Sequence, residues 1–171
     1  MPHKNHVLPD RLKPGLKLVF CGTAAGRQSA LQQAYYAHGQ NKFWSTLHRV
    51  GLTPHLFAPK DYEKLWELGI GLTDIAKHAY GMDHQLPKDA LGAEAVAALK
   101  ARIRKARPQI LAFTSLNGGR KVMGARARPG EQPEMMGDTR VFILASPSPL
   151  AANHWDIQPW RDLAKAVEGL S

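Results

Sequence analysis

The stretch that decides the fold is Leu18-Val19-Phe20-Cys21-Gly22-Thr23-Ala24-Ala25-Gly26, an apolar run that passes directly into a loop of small residues. A second stretch has the same design: the apolar run VFILA at residues 141–145 passes into the proline-braced loop SPSPL at residues 146–150. Such apolar runs are typical of buried parallel strands. Because loops at the carboxyl ends of parallel strands meet at one crevice, we expect these two loops to be halves of one site.

The rest of the chain alternates between apolar strands and helical segments. We predict strands at 17–21, 109–114 and 140–145, a short extended piece at 69–74, and helices at 29–36, 41–50, 60–68, 93–106, 120–123 and 158–168. We predict a turn at Gly118-Gly119 and a loop without regular structure at residues 125–138. This alternation predicts an α/β fold, a single-domain three-layer α/β/α sandwich with a central, mostly parallel sheet. A loose N-terminal arm at 1–15 is expected to precede the domain at 16–171.

Composition favours a partner that carries negative charge. The chain of 171 residues has 23 Lys plus Arg against 14 Asp plus Glu, a net charge of +9 and a pI near 9.9. A basic surface concentrates polyanions, nucleic acid above all. Arg102 and Lys105, on the helix predicted at 93–106, are candidates for a basic face that contacts phosphates. The alternative is a basic surface with no role in binding.

Several classes of site are unlikely on composition. The single cysteine, Cys21, excludes an internal disulfide, a thiolate zinc cluster and an iron–sulfur centre, and its strand position predicts a buried, inert thiol. The eight histidines show no metal-ligand pairing, so we expect neither a metal nor another cofactor. No apolar stretch approaches the ~20 residues that span a bilayer, and residues 1–6 lack the apolar core of a signal peptide. We therefore expect a cytoplasmic monomer with no membrane partner.

Five short segments spread along the chain occur in a characteristic order: Val19-Phe20-Cys21-Gly22, Ser29-Ala30, Asn41-Lys42-Phe43-Trp44, Gly71-Leu72-Thr73, and Pro147-Ser148 with Leu150. Together they resemble the uracil-DNA glycosylase superfamily and are most similar to its mismatch-specific uracil/thymine branch. The loop SPSPL also resembles the His-Pro-Ser-Pro-Leu motif of the uracil-specific branch, with Ser146 in place of the histidine. The resemblance covers nearly the whole chain.

The resemblance implies hydrolysis of the N-glycosidic bond that joins a damaged base to deoxyribose in DNA. Such an enzyme swings the nucleotide out of the stack and reads the base in a pocket. Leu150 matches the family's wedge, which fills the gap left by the flipped base. The alternative for Leu150 is a leucine packed in the core at a strand end. The rest of this DNA-contacting loop is implied to be Pro147, Ser148, Pro149, Asn153 and His154.

The family's catalytic residue is missing from this chain. In the mismatch-specific branch an asparagine in the second position after the motif glycine holds the attacking water, and that position is Ala24 here. Asp74 is the expected substitute, because a carboxylate beside the sugar would position water and stabilise the positive charge that develops there. The alternative is that Asp74 caps a helix beginning at Ile75. Asp83 is the second candidate for the catalytic acid.

The resemblance also implies a base pocket. Tyr36 aligns with the aromatic residue that stacks on the flipped base, and Tyr35 or Tyr36 should face inward; the alternative is ordinary helix packing. Phe43 and Trp44 are expected in the core. Asn41 either hydrogen-bonds backbone in the pocket or caps a helix. Ser146, a weaker donor than histidine, implies slow turnover and broad base acceptance. The other implied pocket residues are Gly22, Thr23, Ala24 and Ser29.

Three functions remain open on the sequence. The first is a DNA glycosylase of base excision repair that acts on uracil and related deaminated or mismatched bases. The second is a catalytically weak or inactive protein of the same fold that binds damaged DNA, which Ala24 favours. The third is a nucleotide-binding or hydrolase domain of Rossmann-like topology, although the loop at 22–26 lacks the Gly-x-Gly-x-x-Gly spacing and the chain has no Gly-Lys-Ser/Thr phosphate loop.

Overall fold

A five-stranded sheet forms the centre of the molecule, in the spatial order β2-β1-β3-β5-β4. A computed structural model describes residues 6–170 of the chain. Four neighbouring strands are parallel, and β4 pairs with β5 in the antiparallel sense. The strands are β1 (Leu18–Ala25), β2 (Ile70–Tyr80), β3 (Ile110–Phe113), β4 (Gly130–Glu131) and β5 (Arg140–Ile143).

Helices cover both faces of this sheet, which confirms the predicted α/β/α fold. One face packs Phe20 against Phe43 and Trp160, and the other packs Val19 in the same cluster as Leu99 and Ile103. No helix within residues 6–170 combines the length and apolar character needed to span a membrane. The helices are α1 (Arg27–Gln32), α2 (Phe43–Arg49), α3 (Ala93–Ala106), α4 (Leu116–Met123) and α5 (Gln158–Glu168), with 3₁₀ helices at Pro59–Leu68, Asp83–Gln85 and Pro149–His154.

Strand β2 is much longer than the extended piece predicted at 69–74. It continues to Tyr80 because its second half pairs with the end of β1, where Ala24 lies opposite Ala76 and a register shift follows. The sequence from Ile75 onward has weak strand propensity, and pairing with a neighbouring strand overrides it. The carboxyl ends of β1 and β2 therefore extend together beyond the end of β3.

The predicted Gly118-Gly119 turn is wrong. Both glycines lie inside α4, which Ser115 caps by accepting a hydrogen bond from the Gly118 amide at 3.0 Å. A Cβ at Gly119 would lie 2.5 Å from Ile143 side-chain carbons, so the missing side chain lets the helix pack closely on β5. The loop predicted at residues 125–138 contains β4, a two-residue strand that the sequence did not indicate.

The described part of the N-terminal arm is not loose. Arg11 and Leu72 exchange backbone hydrogen bonds of 2.9 and 3.1 Å, and the Val7 amide donates to the Lys77 carbonyl at 2.7 Å. Leu8 is buried in the core. The arm thus covers the outer edge of β2, which would otherwise present unpaired backbone groups to solvent.

Gly71→Ala is expected to lower the free energy of unfolding by about 1–3 kcal/mol, because its Cβ would collide with the Arg11 carbonyl oxygen and lie 2.7 Å from a Leu16 methyl. Urea denaturation measures the change. Gly26→Ala is the control, since a Cβ there meets nothing within 4 Å. Equal stability of the two variants would show that the arm is not held against β2.

Candidate functional site

Three polar side chains converge on Gly22 where β1 and β2 extend beyond β3. Gly22 lies opposite Asp74 in the β1–β2 register. A Cβ at Gly22 would lie 2.5 Å from Asp74 Oδ1, 3.3 Å from the Tyr36 hydroxyl and 3.7 Å from Thr114 Oγ1. Only glycine at this position leaves room for the carboxylate beside the backbone. The structure thus brings together Gly22, Asp74 and Tyr36 from the predicted site and adds Thr114.

Asp74 lies inside β2 and is 4% exposed. The alternative that it caps a helix is wrong, because Ile75 continues the strand. Burial raises the pKa of this carboxyl from 3.8 to about 6; Lys77 opposes the rise, Asp10 adds to it and Arg102 opposes it. Asp74 is therefore an acid that changes its charge just below neutral pH.

A cluster of buried charges surrounds Asp74. Lys77 Nζ lies 3.0 Å from Asp10 Oδ1 and 3.9 Å from Asp74 Oδ2. Arg102 Nε lies 3.0 Å from Asp10 Oδ2, and an Arg102 terminal nitrogen donates to the Asp74 backbone oxygen at 2.8 Å. We call Asp10, Asp74, Lys77 and Arg102 the charge cluster. The Arg102 side chain points into this cluster. The expectation that Arg102 lies on a basic DNA-binding face is therefore wrong.

The sequence did not single out Asp10, Lys77 or Thr114. Asp10 lies in the arm, whose packing along β2 has no local sequence signal. Lys77 lies in the half of β2 that was not recognised as strand. Thr114 offered the clearest signal, since a polar residue directly after the apolar run of β3 stands at the edge where ligands bind.

Tyr36 faces the site in a left-handed backbone conformation, with φ of 52°. Its ring stacks on Phe43 at 3.8 Å between ring centres, and its hydroxyl lies 3.0 Å from Thr114 Oγ1. Burial, and then the charge of Asp74, raise the pKa of Tyr36 well above its usual value, so its hydroxyl stays protonated. Tyr35 also faces inward and is buried, and Phe43 and Trp44 lie in the core as predicted.

Two of the predicted pocket residues support the loop that carries Tyr36. Ser29 is buried, and its hydroxyl accepts a hydrogen bond from the Ala37 amide at 3.0 Å. The Asn41 side chain accepts from the amide of Phe43, the first residue of α2, at 2.8 Å, although the N-cap position itself is Lys42. Both side chains thus fix the backbone on either side of the loop between α1 and α2.

The loop predicted at residues 22–26 is wrong for residues 22–25, which continue β1 because they pair with β2. This end of β1, which we call the motif loop, is tied to Asp83. Thr23 Oγ1 donates to Asp83 Oδ1 at 2.6 Å, and Asn117 Nδ2 donates to Asp83 Oδ2 at 2.7 Å. Asp83 is exposed, whereas Asp74 is buried. Ala24, which occupies the position of the family asparagine, is partly buried opposite Ala76. Asp74 thus lies beside Gly22, whereas Asp83 is bonded to the side chain of the next residue, Thr23.

The second predicted loop presents Leu150 to solvent, with 66% of its surface exposed. The alternative that Leu150 packs in the core is wrong. Ser146 Oγ accepts from the Ser148 amide and Ser148 Oγ from the Leu150 amide, each at 3.3 Å. With Pro147 and Pro149, these bonds hold the loop in one conformation. Asn153 and His154, at the end of the 3₁₀ helix Pro149–His154, are also exposed.

Two further hydrogen bonds attach this second loop to the body of the protein. Trp160 Nε1 donates to the Ala145 carbonyl at 3.0 Å, and the Lys42 amide donates to the Pro147 carbonyl at 2.9 Å. The second bond links the loop to the segment that leads into α2. The loop that carries Leu150 and the loop that carries Tyr36 are therefore connected to each other by a backbone hydrogen bond.

No group of three His, Cys, Asp or Glu within the described chain could hold a metal ion. Cys21 is buried as predicted, and burial, followed by the charge of Asp74, raises the pKa of its thiol well above the usual value. A raised pKa keeps the sulfur in its unreactive thiol form.

Comparison with known proteins identifies the family. The family model of the Uracil DNA glycosylase superfamily matches residues 9–168. Among solved structures, the chain is similar to a solution NMR structure from Methanosarcina acetivorans, named a "putative Uracil DNA glycosylase", with 21% sequence identity and a TM-score of 0.62. That match covers 94% of this chain and 96% of the other, and it shows a common fold.

Asp74→Asn is expected to stabilise the folded protein at pH 8. The pKa of Asp74 is higher in the folded state, so wild type loses stability as the pH rises from 3.8 to about 6. The ionisation of Asp74 therefore lowers the unfolding free energy of wild type by at most about 3 kcal/mol at pH 8, and Asp74→Asn avoids this loss. Urea unfolding at pH 4 and pH 8 measures it, with Asp162→Asn as the surface control. A variant equally destabilised at both pH values would contradict the expectation.

Proposed function

The chain belongs to the uracil DNA glycosylase superfamily, and from this premise we propose that it hydrolyses the N-glycosidic bond of uracil and of related deaminated or mismatched bases in DNA. The observation that carries the proposal is the buried Asp74 carboxylate beside Gly22, next to the hydroxyls of Tyr36 and Thr114. The net charge of +9 supports DNA as the partner. The similar motifs favour the mismatch-specific branch, with repair of deaminated bases as the role.

Asp74 is the proposed catalytic residue. Cleavage of the N-glycosidic bond develops positive charge on the sugar and negative charge on the departing base. An ionised carboxylate at the sugar stabilises the first charge and holds the water that attacks the anomeric carbon. The Ala24 methyl can do neither. Asp83 is the weaker candidate, because its two carboxylate oxygens already accept hydrogen bonds from Thr23 and Asn117.

Tyr36 is proposed to stack on the flipped base. One face of its ring is covered by Phe43, so the base would take the opposite face. Stacking of a base on an aromatic ring contributes about 1–3 kcal/mol and tolerates different bases. The hydroxyls of Tyr36 and Thr114 can each donate or accept, which suits more than one base edge. Ser146 is a weaker donor to the departing base than a histidine would be, which agrees with slow turnover and broad base acceptance.

Leu150 is proposed to enter the gap that the flipped nucleotide leaves in the duplex. An exposed leucine on a loop braced by prolines and hydrogen bonds loses little conformational freedom when it inserts. Its burial offsets part of the cost of unstacking. The exposed Asn153 and His154, at the far end of the same 3₁₀ helix, are proposed to contact phosphates or the orphaned strand.

The alternative function is a protein of the same fold that binds damaged DNA without cutting it. Ala24 is the observation that favours it. A uracil-containing oligonucleotide, incubated with the protein and then treated with alkali, distinguishes the two functions: strand cleavage indicates a glycosylase, and binding without cleavage indicates the alternative.

Asp74→Asn is expected to lower the single-turnover rate at least about 100-fold, because the amide cannot carry the negative charge. DNA affinity, measured by fluorescence anisotropy, should be kept. Asp83→Asn is the matched acid-to-amide variant and should keep most of the rate. The reverse order of the two rates would assign catalysis to Asp83.

The pH dependence follows from the same residue. Since the carboxylate is the active form and its pKa is about 6, the single-turnover rate should fall tenfold per pH unit below pH 6 and level off above pH 7. The measurement is the rate on a uracil oligonucleotide from pH 4.5 to 8.5. A rate that stays level down to pH 4.5 would rule out Asp74 as the titrating group.

Leu150→Ala is expected to lower the rate on uracil in duplex DNA about tenfold, because the smaller side chain buries less apolar surface in the gap. On single-stranded DNA, which has no gap to fill, the rate should change little. The control is Leu56→Ala, another exposed leucine that lies outside the proposed site. Equal losses on both substrates would show that Leu150 is not a wedge.

A further inference from the structure

The N-terminal arm places a charged residue next to the candidate catalytic acid. Backbone hydrogen bonds of Val7 with Lys77 and of Arg11 with Leu72 fix the arm along the edge of β2. Asp10 lies between these two attachment points and turns its carboxylate toward the sheet, where Thr73 Oγ1 donates to it at 2.7 Å. Its side chain is 16% exposed. A half-buried carboxylate that two cations and a hydroxyl contact is part of the packed structure rather than a free surface charge.

Lys77 lies between the two acids of the charge cluster. Its side chain is 2% exposed, and its ammonium group lies 3.0 Å from Asp10 and donates to the Tyr35 hydroxyl at 3.0 Å. Asp74 lies 3.9 Å from the same nitrogen, a distance for an ion pair but not for a hydrogen bond. Asp10 holds Lys77 more closely than Asp74 does. The two carboxylates therefore compete for one cation.

We propose that Lys77, held by Asp10 of the N-terminal arm, is a positioning residue that keeps the Asp74 carboxylate ionised and oriented beside Gly22. The proposal rests on the catalytic role proposed for Asp74. Because Asp10 binds the same ammonium group, it weakens the electrostatic stabilisation that Lys77 gives to the Asp74 carboxylate. Asp10 of the arm would then belong to the active site through its bond to Lys77.

Other groups that face Asp74 are fixed or neutral. Arg102 of α3 binds Asp10 through its Nε and the Asp74 backbone oxygen through a terminal nitrogen. Cys21 of β1 and both Tyr35 and Tyr36 have raised pKa values, mainly because they are buried, so they are uncharged at neutral pH. Lys77 and Asp10 are thus the charges whose removal tests the proposal without changing the pocket itself.

Lys77→Met and Asp10→Asn are expected to move the acidic limb of the pH–rate profile in opposite directions. Loss of the cation should move it about one pH unit upward, and loss of the competing anion should move it downward. The double variant Asp10→Asn/Lys77→Met should lie between the two. If Lys77 and Asp10 had only a structural role, both variants would lower the rate without shifting the acidic limb of the profile in opposite directions. Glu131→Gln is the control, because it breaks a surface pair with Arg140 on strands at the other end of the sheet.

A second measurement keeps the failure of this proposal distinct from that of the proposed function. Carboxyl ¹³C NMR of the full-length protein follows the titration of Asp74 directly, with Asp74→Asn used to assign the signal. Opposite shifts of this titration in the two variants support the proposal, even if the activity does not follow; the activity result would then overturn the catalytic role of Asp74 alone. An unmoved titration in both folded variants overturns the proposal.

Either variant alone is sufficient for the test. Each predicts its own direction of shift, so the proposal stays testable if the other variant fails to fold. Circular dichroism and thermal unfolding identify a folded variant before the titration is recorded. The proposal would be overturned if the Asp74 titration moved to lower pH in Lys77→Met or to higher pH in Asp10→Asn, as it would be if the titration did not move.

Discussion

The parallel register that places Gly22 of β1 opposite Asp74 of β2 is the constraint on which the site depends. Side chains alternate between the two faces of a strand, so a slip of one residue would turn Asp74 to the α3 face and bring an apolar neighbour to the site. The apolar residues on either side fix the register, since Leu72 and Phe20 must enter one core cluster while Val19 and Cys21 enter the other. The hydrophobic core thus positions the acid.

Burial of Asp74 opposes folding, and under the proposed function the same burial favours the reaction. Its pKa of about 6 means that the folded protein holds a carboxylate in surroundings that disfavour its charge. Such a group stabilises a developing positive charge more strongly than one in water would, because little solvent screens it. Lys77 and Arg102 reduce the cost of this burial, because their positive charges lower the pKa of Asp74. The buried Asp74 carboxylate therefore lowers the stability of the folded protein above pH 6.

The loops around the acid are rigid for reasons that lie outside the site. Trp44 donates its indole proton to the Tyr35 carbonyl at 3.0 Å, and Trp160 donates to the Ala145 carbonyl at the same distance. Both tryptophans are core residues. Each thus uses its ring for packing and its single donor to hold one loop of the site. Because the loops are fixed to the same core cluster, the spacing between Tyr36 and Leu150 is set before DNA binds.

The sequence by itself determined the alternation of strands and helices and the bounds of α3 and α5, because periodicity and apolar runs are local signals. It placed the end of β1 too early, since residues 22–25 are strand only through their pairing with β2. It also pointed to Asp74 and Tyr36 through the order of the motifs. Only the tertiary structure decided the length of β2, the place of Gly118 and Gly119 inside a helix, and the partners of Asp74. Asp10, Lys77 and Thr114 come from the arm, an edge strand and a third strand. Their meeting depends on strand pairing over long sequence distances, which no local pattern records.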